Sequence, residues 1–253
     1  MKRILVPTFE CGSVLLGEKE QPYGPDYTID EMREITTDIF SFESIRKNDI
    51  LYVDKTMYIH SLVKSMARSF YFLSRPRRYG KSLFCSTLHA LFDGRKELFK
   101  GLYIAEKTNY SFEPFPVLHF NFANLATSSY DDFMESFAIA VRKAGRDVGI
   151  EPEGSYPSMM LQSILYSLKK KAVIIIDEYD SALSTAISRG YGFIDGMRAV
   201  FRDFYSNIKN NSECIRFCFI TGVTKYSNLS IFSEMNNLLD ISMDKAFADA
   251  FGY

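Results

Sequence analysis

From residue 69 onward, short apolar runs alternate with longer stretches in which apolar side chains recur every three or four positions. SFYFLS (69–74) reads as a buried strand. KSLFCSTLHALFDG follows it, with Leu83, Phe84, Thr87, Leu88 and Leu91 on one helical face and Gly94 just past the end. FPVLHFNF (115–122) predicts a second strand. In SSYDDFMESFAIAVRKAGRDVG, Ser129 is placed to cap a helix, the early acids suit its positive end, and Phe133, Phe137, Ala140, Val141 and Ala144 form the apolar stripe. PSMMLQSILYSLKKK predicts another helix, with cations in its last turn. AVIII (172–176) is apolar throughout, which predicts a central strand of a parallel sheet. GFIDGMRAVFRDFYSNIK predicts a helix that turns Phe193, Met197, Val200, Phe201 and Phe204 inward, and IRFCFIT (215–221) and LLDISM (238–243) supply a fourth and a fifth strand. This alternation predicts an α/β fold, a doubly wound parallel sheet of about five strands sandwiched by helices.

The first 31 residues break the pattern. GEKEQPYGPDY carries two prolines and two glycines and reads as part of an irregular leader over 1–31, which leaves 32–253 as the domain. Composition adds little: 47% hydrophobic and 24% charged residues with a net charge of −1 describe an ordinary globular chain without a general attraction for nucleic acid. No apolar run approaches the roughly 20 residues of a membrane helix, and the start lacks the apolar stretch of a signal peptide, so a cytoplasmic protein is expected. Cys11, Cys85, Cys214 and Cys218 suggest neither a zinc site nor a disulfide framework; Cys214 and Cys218 are expected on one face of a strand. His60, His89 and His119 are scattered and read as structural.

Candidate chemistry sits at the ends of two predicted strands. After the first comes Arg75-Pro76-Arg77-Arg78-Tyr79-Gly80-Lys81-Ser82, which matches the phosphate-loop pattern GxxxxGK[ST] except for its first glycine. Gly80 permits close backbone approach, Lys81 suits the β and γ phosphates, Ser82 suits magnesium, and the amides at the helix start face an anion with partial positive charge. Arg75 in place of glycine implies a differently shaped turn, since a left-handed non-glycine residue costs roughly 1–2 kcal/mol. Pro76 removes one amide donor, which Arg77 and Arg78 can replace with charge-assisted bonds. The second strand ends in Asp177-Glu178: one carboxylate to hold magnesium and a neighbour to orient attacking water, at the sheet edge where open α/β folds bind ligands. Thr221, ending IRFCFIT, is positioned to sense phosphate or water if its strand is inserted between the other two. Asp180 and Lys225 either join that edge or lie on the solvated surface.

These residues resemble the AAA-ATPase-like domain of bacterial and archaeal proteins that often carry a C-terminal nuclease-like domain of the PD-(D/E)XK type. The likeness runs through YVDKT (52–56), FLSRPRRYGKSL (72–83), LFKGLYI (98–104), FPVLHFNF, IIIDEYD (174–180), FITGVTKYS (219–227) and IFSEMNNLLDIS (231–242). It implies a P-loop NTPase with a strand inserted between its two motif strands. It also implies that ATP is held along Arg75 to Leu83, magnesium by Ser82 and Asp177, and water by Glu178. YVDKT precedes the loop much as an adenine-contacting segment does in related ATPases, which makes Asp54 and Lys55 candidates for nucleotide contact; otherwise Asp54 caps the helix through TMYIHSLVKS. Members of the family usually run to about twice this length, so a lid and the nuclease-like domain are expected to be missing here, with self-association through any apolar face left uncovered. The expected activity is slow magnesium-dependent ATP hydrolysis acting as a switch. The alternatives are a nucleic-acid-associated module that uses Arg75, Arg77 and Arg78, and an inactive remnant.

Overall fold

The apolar run 172–176 does lie in the interior of a sheet. The structure, a computed structural model, describes residues 5–7, 32–34, 41–65, 69–225, 235, 237–247 and 250. In chain order the elements are β1 (Leu5–Pro7), β2 (Met32–Glu34), α1 (Phe42–Lys47), α2 (Thr56–Val63), β3 (Phe70–Ser74), α3 (Lys81–Phe92), α4 (Tyr103–Glu106), β4 (Val117–Asn121), α5 (Tyr130–Asp147), α6 (Pro157–Ser167), β5 (Ala172–Asp177), α7 (Ser181–Ser188), α8 (Ile194–Asn210), β6 (Ile215–Gly222) and β7 (Leu239–Asp240). β1 and β2 pair antiparallel, Leu5 opposite Glu34, so the segment read as irregular holds at least one short strand. The rest of 1–31 lies outside the described residues.

The other five strands form one parallel sheet in the order β4-β5-β6-β3-β7. β6 therefore does stand between the strand that leads into GKS and the strand that ends in Asp-Glu. Alternation along the strands divides the core in two. Phe70, Phe72, Leu118, Phe120, Ile174, Ile176, Cys218 and Ile220 face α5, α6 and α8. Tyr71, Leu73, Val117, Val173, Ile175, Phe217 and Phe219 face α3 and the helices before it. The first layer is dense in phenyl rings, with Phe137 centred 4.9 Å from Phe204 and Phe133 5.4 Å from Phe201. Burying each such side chain stabilises the fold by roughly 1.5–3 kcal/mol.

Local signals explain most element boundaries. The Ser129 hydroxyl accepts from the Asp132 amide and caps α5, whose Phe133, Phe137, Val141 and Ala144 are buried as the stripe predicted. Gly94, beyond the last residue of α3, takes φ +76° with Phe112 O and the Pro114 ring against it, leaving little room for a side chain. α6 stops at Ser167, short of the lysines expected in its last turn. Leu168 is extended because the chain has to straighten into β5 at Ala172, and Lys170 reaches Glu113 at 3.0 Å instead. β4 ends where the Asn121 side chain accepts from the Ala123 amide and starts a single tight turn. β7 pairs over only two residues, since Asp240 bends back to accept from the Ser242 amide at 2.9 Å. Cys214 falls in a tight turn before β6 and not on the strand with Cys218. Among the described residues no helix is long and apolar enough to cross a membrane.

Candidate functional site

β3 delivers the chain to Arg75, and the next five residues, Pro76 to Gly80, form an exposed loop that enters α3 at Lys81. The left-handed positions of this loop are Arg78 (φ +70°) and Gly80 (φ +75°), not Arg75. The missing first glycine thus costs nothing at its own position; the strain of about 1–2 kcal/mol falls on Arg78 instead. Arg75 turns inward and is buried, with Nη1 4.0 Å from Met243 Sδ, whereas Arg77 and Arg78 stay in solvent and Tyr79 is 44% exposed. The first amide bonded along α3 is that of Phe84, to Gly80 O at 2.9 Å, so the amides of Lys81, Ser82 and Leu83 point out of the helix start.

Lys81 is only 4% exposed. Its Nζ donates to the carbonyls of Arg75 and Pro76, both at 3.0 Å, and stands 3.8 Å from Glu178 Oε1. It is a buried cation held by two neutral carbonyl acceptors and one more distant carboxylate. β5 brings Asp177 beside α3, where the Ser82 hydroxyl bonds to it. Burial raises the Asp177 carboxyl above the ordinary carboxylate range, opposed by the Ser82 hydrogen bond and by Lys81. Glu178 follows in a left-handed conformation, φ +54°, and burial raises its carboxyl too, against the pull of Lys81. Thr221, the last but one residue of β6, is fully buried, and its hydroxyl has no hydrogen-bond partner among the described residues. By strand alternation it lies on the same face as Phe217 and Phe219, towards α3, as Asp177 does with Val173 and Ile175. An orphaned buried hydroxyl, a retractable lysine, a serine touching an aspartate and outward amides fit a nucleotide phosphate with its magnesium ion. Ser82 and Asp177 are the residues that would hold the metal.

Other expectations resolve differently. Asp54 uses both carboxylate oxygens structurally: Oδ1 accepts from the amide and hydroxyl of Thr56 at 2.8 and 2.7 Å, and Oδ2 from the Tyr103 amide at 2.7 Å. It caps α2 and ties it to α4, with Lys55 at the cap position beside it. Asp180 is not on the solvated surface but buried, bonded to the segment after β6, and Lys225 pairs with Asp240 at 2.7 Å. His89 and His119, scattered in the sequence, face each other at 3.1 Å between their Nδ1 atoms. They line a groove of about 620 Å³ that opens beside Ser82 and Asp177, and burial holds His119 down to about 4. Sequence reasoning also missed Tyr179 and Gly222; the glycine directly after a strand-end threonine was the available signal.

Replacing Asp177 by asparagine gives a test with a definite sign. A carboxyl raised by burial is disfavoured in its charged form, so the stability it contributes is present below its unfolded value and lost as pH rises through the folded one. At neutral pH the Asp177→Asn protein is therefore expected to melt higher than wild type without ligand; at this size each ~1 kcal/mol of stability reads as about 2–4 °C. A lower melting temperature would contradict that reading of the buried charge.

The inserted-strand parallel sheet, the GKS turn at the start of α3 and the carboxylate pair at the tip of β5, two strands across from β3, define a P-loop NTPase-like fold. Within that class the chain belongs to the AAA-ATPase-like family: the family's model, described as "Predicted AAA-ATPase", matches residues 36–232. Membership in a family of predicted ATPases implies nucleotide binding. The chain is also 33% identical over 227 residues to an "Uncharacterized protein in vnfD 5'region" of Azotobacter chroococcum mcd 1, covering 87% of this chain and 43% of that protein. It thus spans less than half the length of this relative. No solved structure matches the chain.

Proposed function

We propose that residues 32–253 form a magnesium-dependent ATP-binding domain that hydrolyses ATP slowly and serves as a nucleotide switch. The observation that carries this reading is the convergence of Lys81, Ser82, Asp177 and Glu178, brought from two distant parts of the chain to one edge of the sheet. The amides at the start of α3 and Gly80 receive the phosphate oxygens, and Arg77 and Arg78 add positive charge at the rim. Lys81 transfers its two hydrogen bonds from the carbonyls of Arg75 and Pro76 to the β and γ phosphates. Ser82 and Asp177 would hold the magnesium ion, which would supply neutralisation of the charge that develops on the phosphates.

Glu178, released from Lys81, orients the attacking water and accepts its proton, and Thr221 supplies a polar contact beside it. The loop from Pro76 to Gly80 is open to solvent, so water is poorly excluded, which suits slow turnover. Calorimetric titration of ATP into the wild-type chain tests the reading. Binding in the micromolar range that weakens at least about tenfold without magnesium is expected. Equal affinity with and without the metal would remove Ser82 and Asp177 from it.

A further inference from the structure

Four residues where the chain leaves β6, Thr221 to Thr224, are gripped from both sides of the proposed site. From the phosphate-loop side, the Arg75 amide donates to Gly222 O at 3.1 Å and the Ser74 hydroxyl to Val223 O at 3.0 Å. From the acidic side, the Tyr179 amide donates to Thr221 O at 2.9 Å and the Tyr179 hydroxyl to Thr224 O at 2.7 Å. Asp180 completes the grip: its carboxylate accepts from the amides of Val223 and Thr224, at 3.2 and 2.8 Å, and from the Thr224 hydroxyl at 2.7 Å. With only 2% of Asp180 exposed, these donors replace the water that its charge has lost. Gly222 fixes the fit, since a Cβ there would stand 2.4 Å from Tyr179 Cδ1 and 2.5 Å from Asp180 Oδ1.

The same turn keeps Glu178 in its left-handed conformation. Strain of this kind persists only where the surroundings over-determine the backbone, and here the next two residues are both fastened to Thr221–Thr224. The position of Glu178 and the course of the chain leaving β6 are therefore not independent. Lys81 touches both handles, resting on the carbonyl of Arg75 and facing Glu178. An anion that draws Lys81 away acts on both at once.

We propose that Asp180 is a positioning residue that couples occupancy of the phosphate site to the segment Thr221–Thr224 where the chain leaves β6. The proposal rests on the ATP reading given above, and its test keeps the two apart. Hydrogen exchange at the Val223 and Thr224 amides is followed with and without magnesium and ATP, in wild type, Asp180→Asn and Thr224→Val, with ATP affinity measured on the same samples. In wild type, ligand is expected to change exchange of these amides by about tenfold or more. Asp180→Asn is expected to bind ATP within about threefold of wild type while losing that response, because its amide group can no longer accept all three donors. Thr224→Val, which removes one hydroxyl at nearly constant side-chain size, is expected to fold and to reduce the response at unchanged affinity, and carries the test if Asp180→Asn does not fold. The proposal is overturned if both variants respond as wild type does, if wild type binds ATP without any change at these amides, or if response and affinity fall together. A wild type that does not bind ATP at all overturns the functional reading first, and the coupling with it.

Discussion

Replacing Glu178 by glutamine is expected to leave ATP affinity within about threefold of wild type and to slow hydrolysis by about 10²–10³-fold, the share a positioned general base commonly carries. The glutamine keeps the size of the side chain and its place after Asp177, so the turn and its ties to β6 remain. What it loses is the ability to accept a proton. The wild-type carboxyl has a further signature. Burial raises it above the ordinary carboxylate range, with Lys81 opposing, and only the ionised form can act as a base. Hydrolysis by wild type should therefore fall as pH drops through that raised value, and the dependence should be missing from the residual rate of Glu178→Gln. Single-turnover rates across pH for both proteins check this. Equal rates in the two would take Glu178 out of the chemistry.

The sequence made the sheet and the site unequally legible, for physical reasons. AVIII could be placed in the middle of a parallel sheet because a strand covered on both faces has no polar side to show. The stripe of α5 and its Ser129 cap were equally plain, since both are local signals. The neighbourhood of Lys81, Ser82, Asp177 and Glu178 followed from the rule that ligands meet strand ends. Other features depend on long-range contact and left no local trace. The His89–His119 pair joins a helix to a neighbouring strand 30 residues on. Asp180 could be read equally as part of the site edge or as a surface acid, because only the return of β6 buries it against Val223 and Thr224. The shape of the phosphate loop was legible in part: its strain was expected at Arg75, where glycine is missing, yet the backbone places it at Arg78. The brevity of β7 was hidden because Asp240 ends the strand by a turn of its own side chain.

Lys81→Ala is the second large effect. Nζ stands on two neutral carbonyls at 3.0 Å, and phosphate replaces them with negatively charged acceptors. Hydrogen bonds to a charged group contribute roughly 1.5–3 kcal/mol each, so losing the lysine should weaken ATP binding by about 10²-fold or more. The Pro76 carbonyl it leaves lies in an exposed loop and can turn to water, so the fold is expected to survive. The Asp177 and Glu178 carboxyls, both pulled down by this cation, should rise further without it. The decisive measurement is therefore a calorimetric titration of ATP with magnesium into wild type and Lys81→Ala side by side, with melting curves to show that both are folded. Micromolar binding by wild type that falls at least about 10²-fold in the variant is the predicted result. Equal binding by the two proteins would contradict the claim that this loop holds the phosphates.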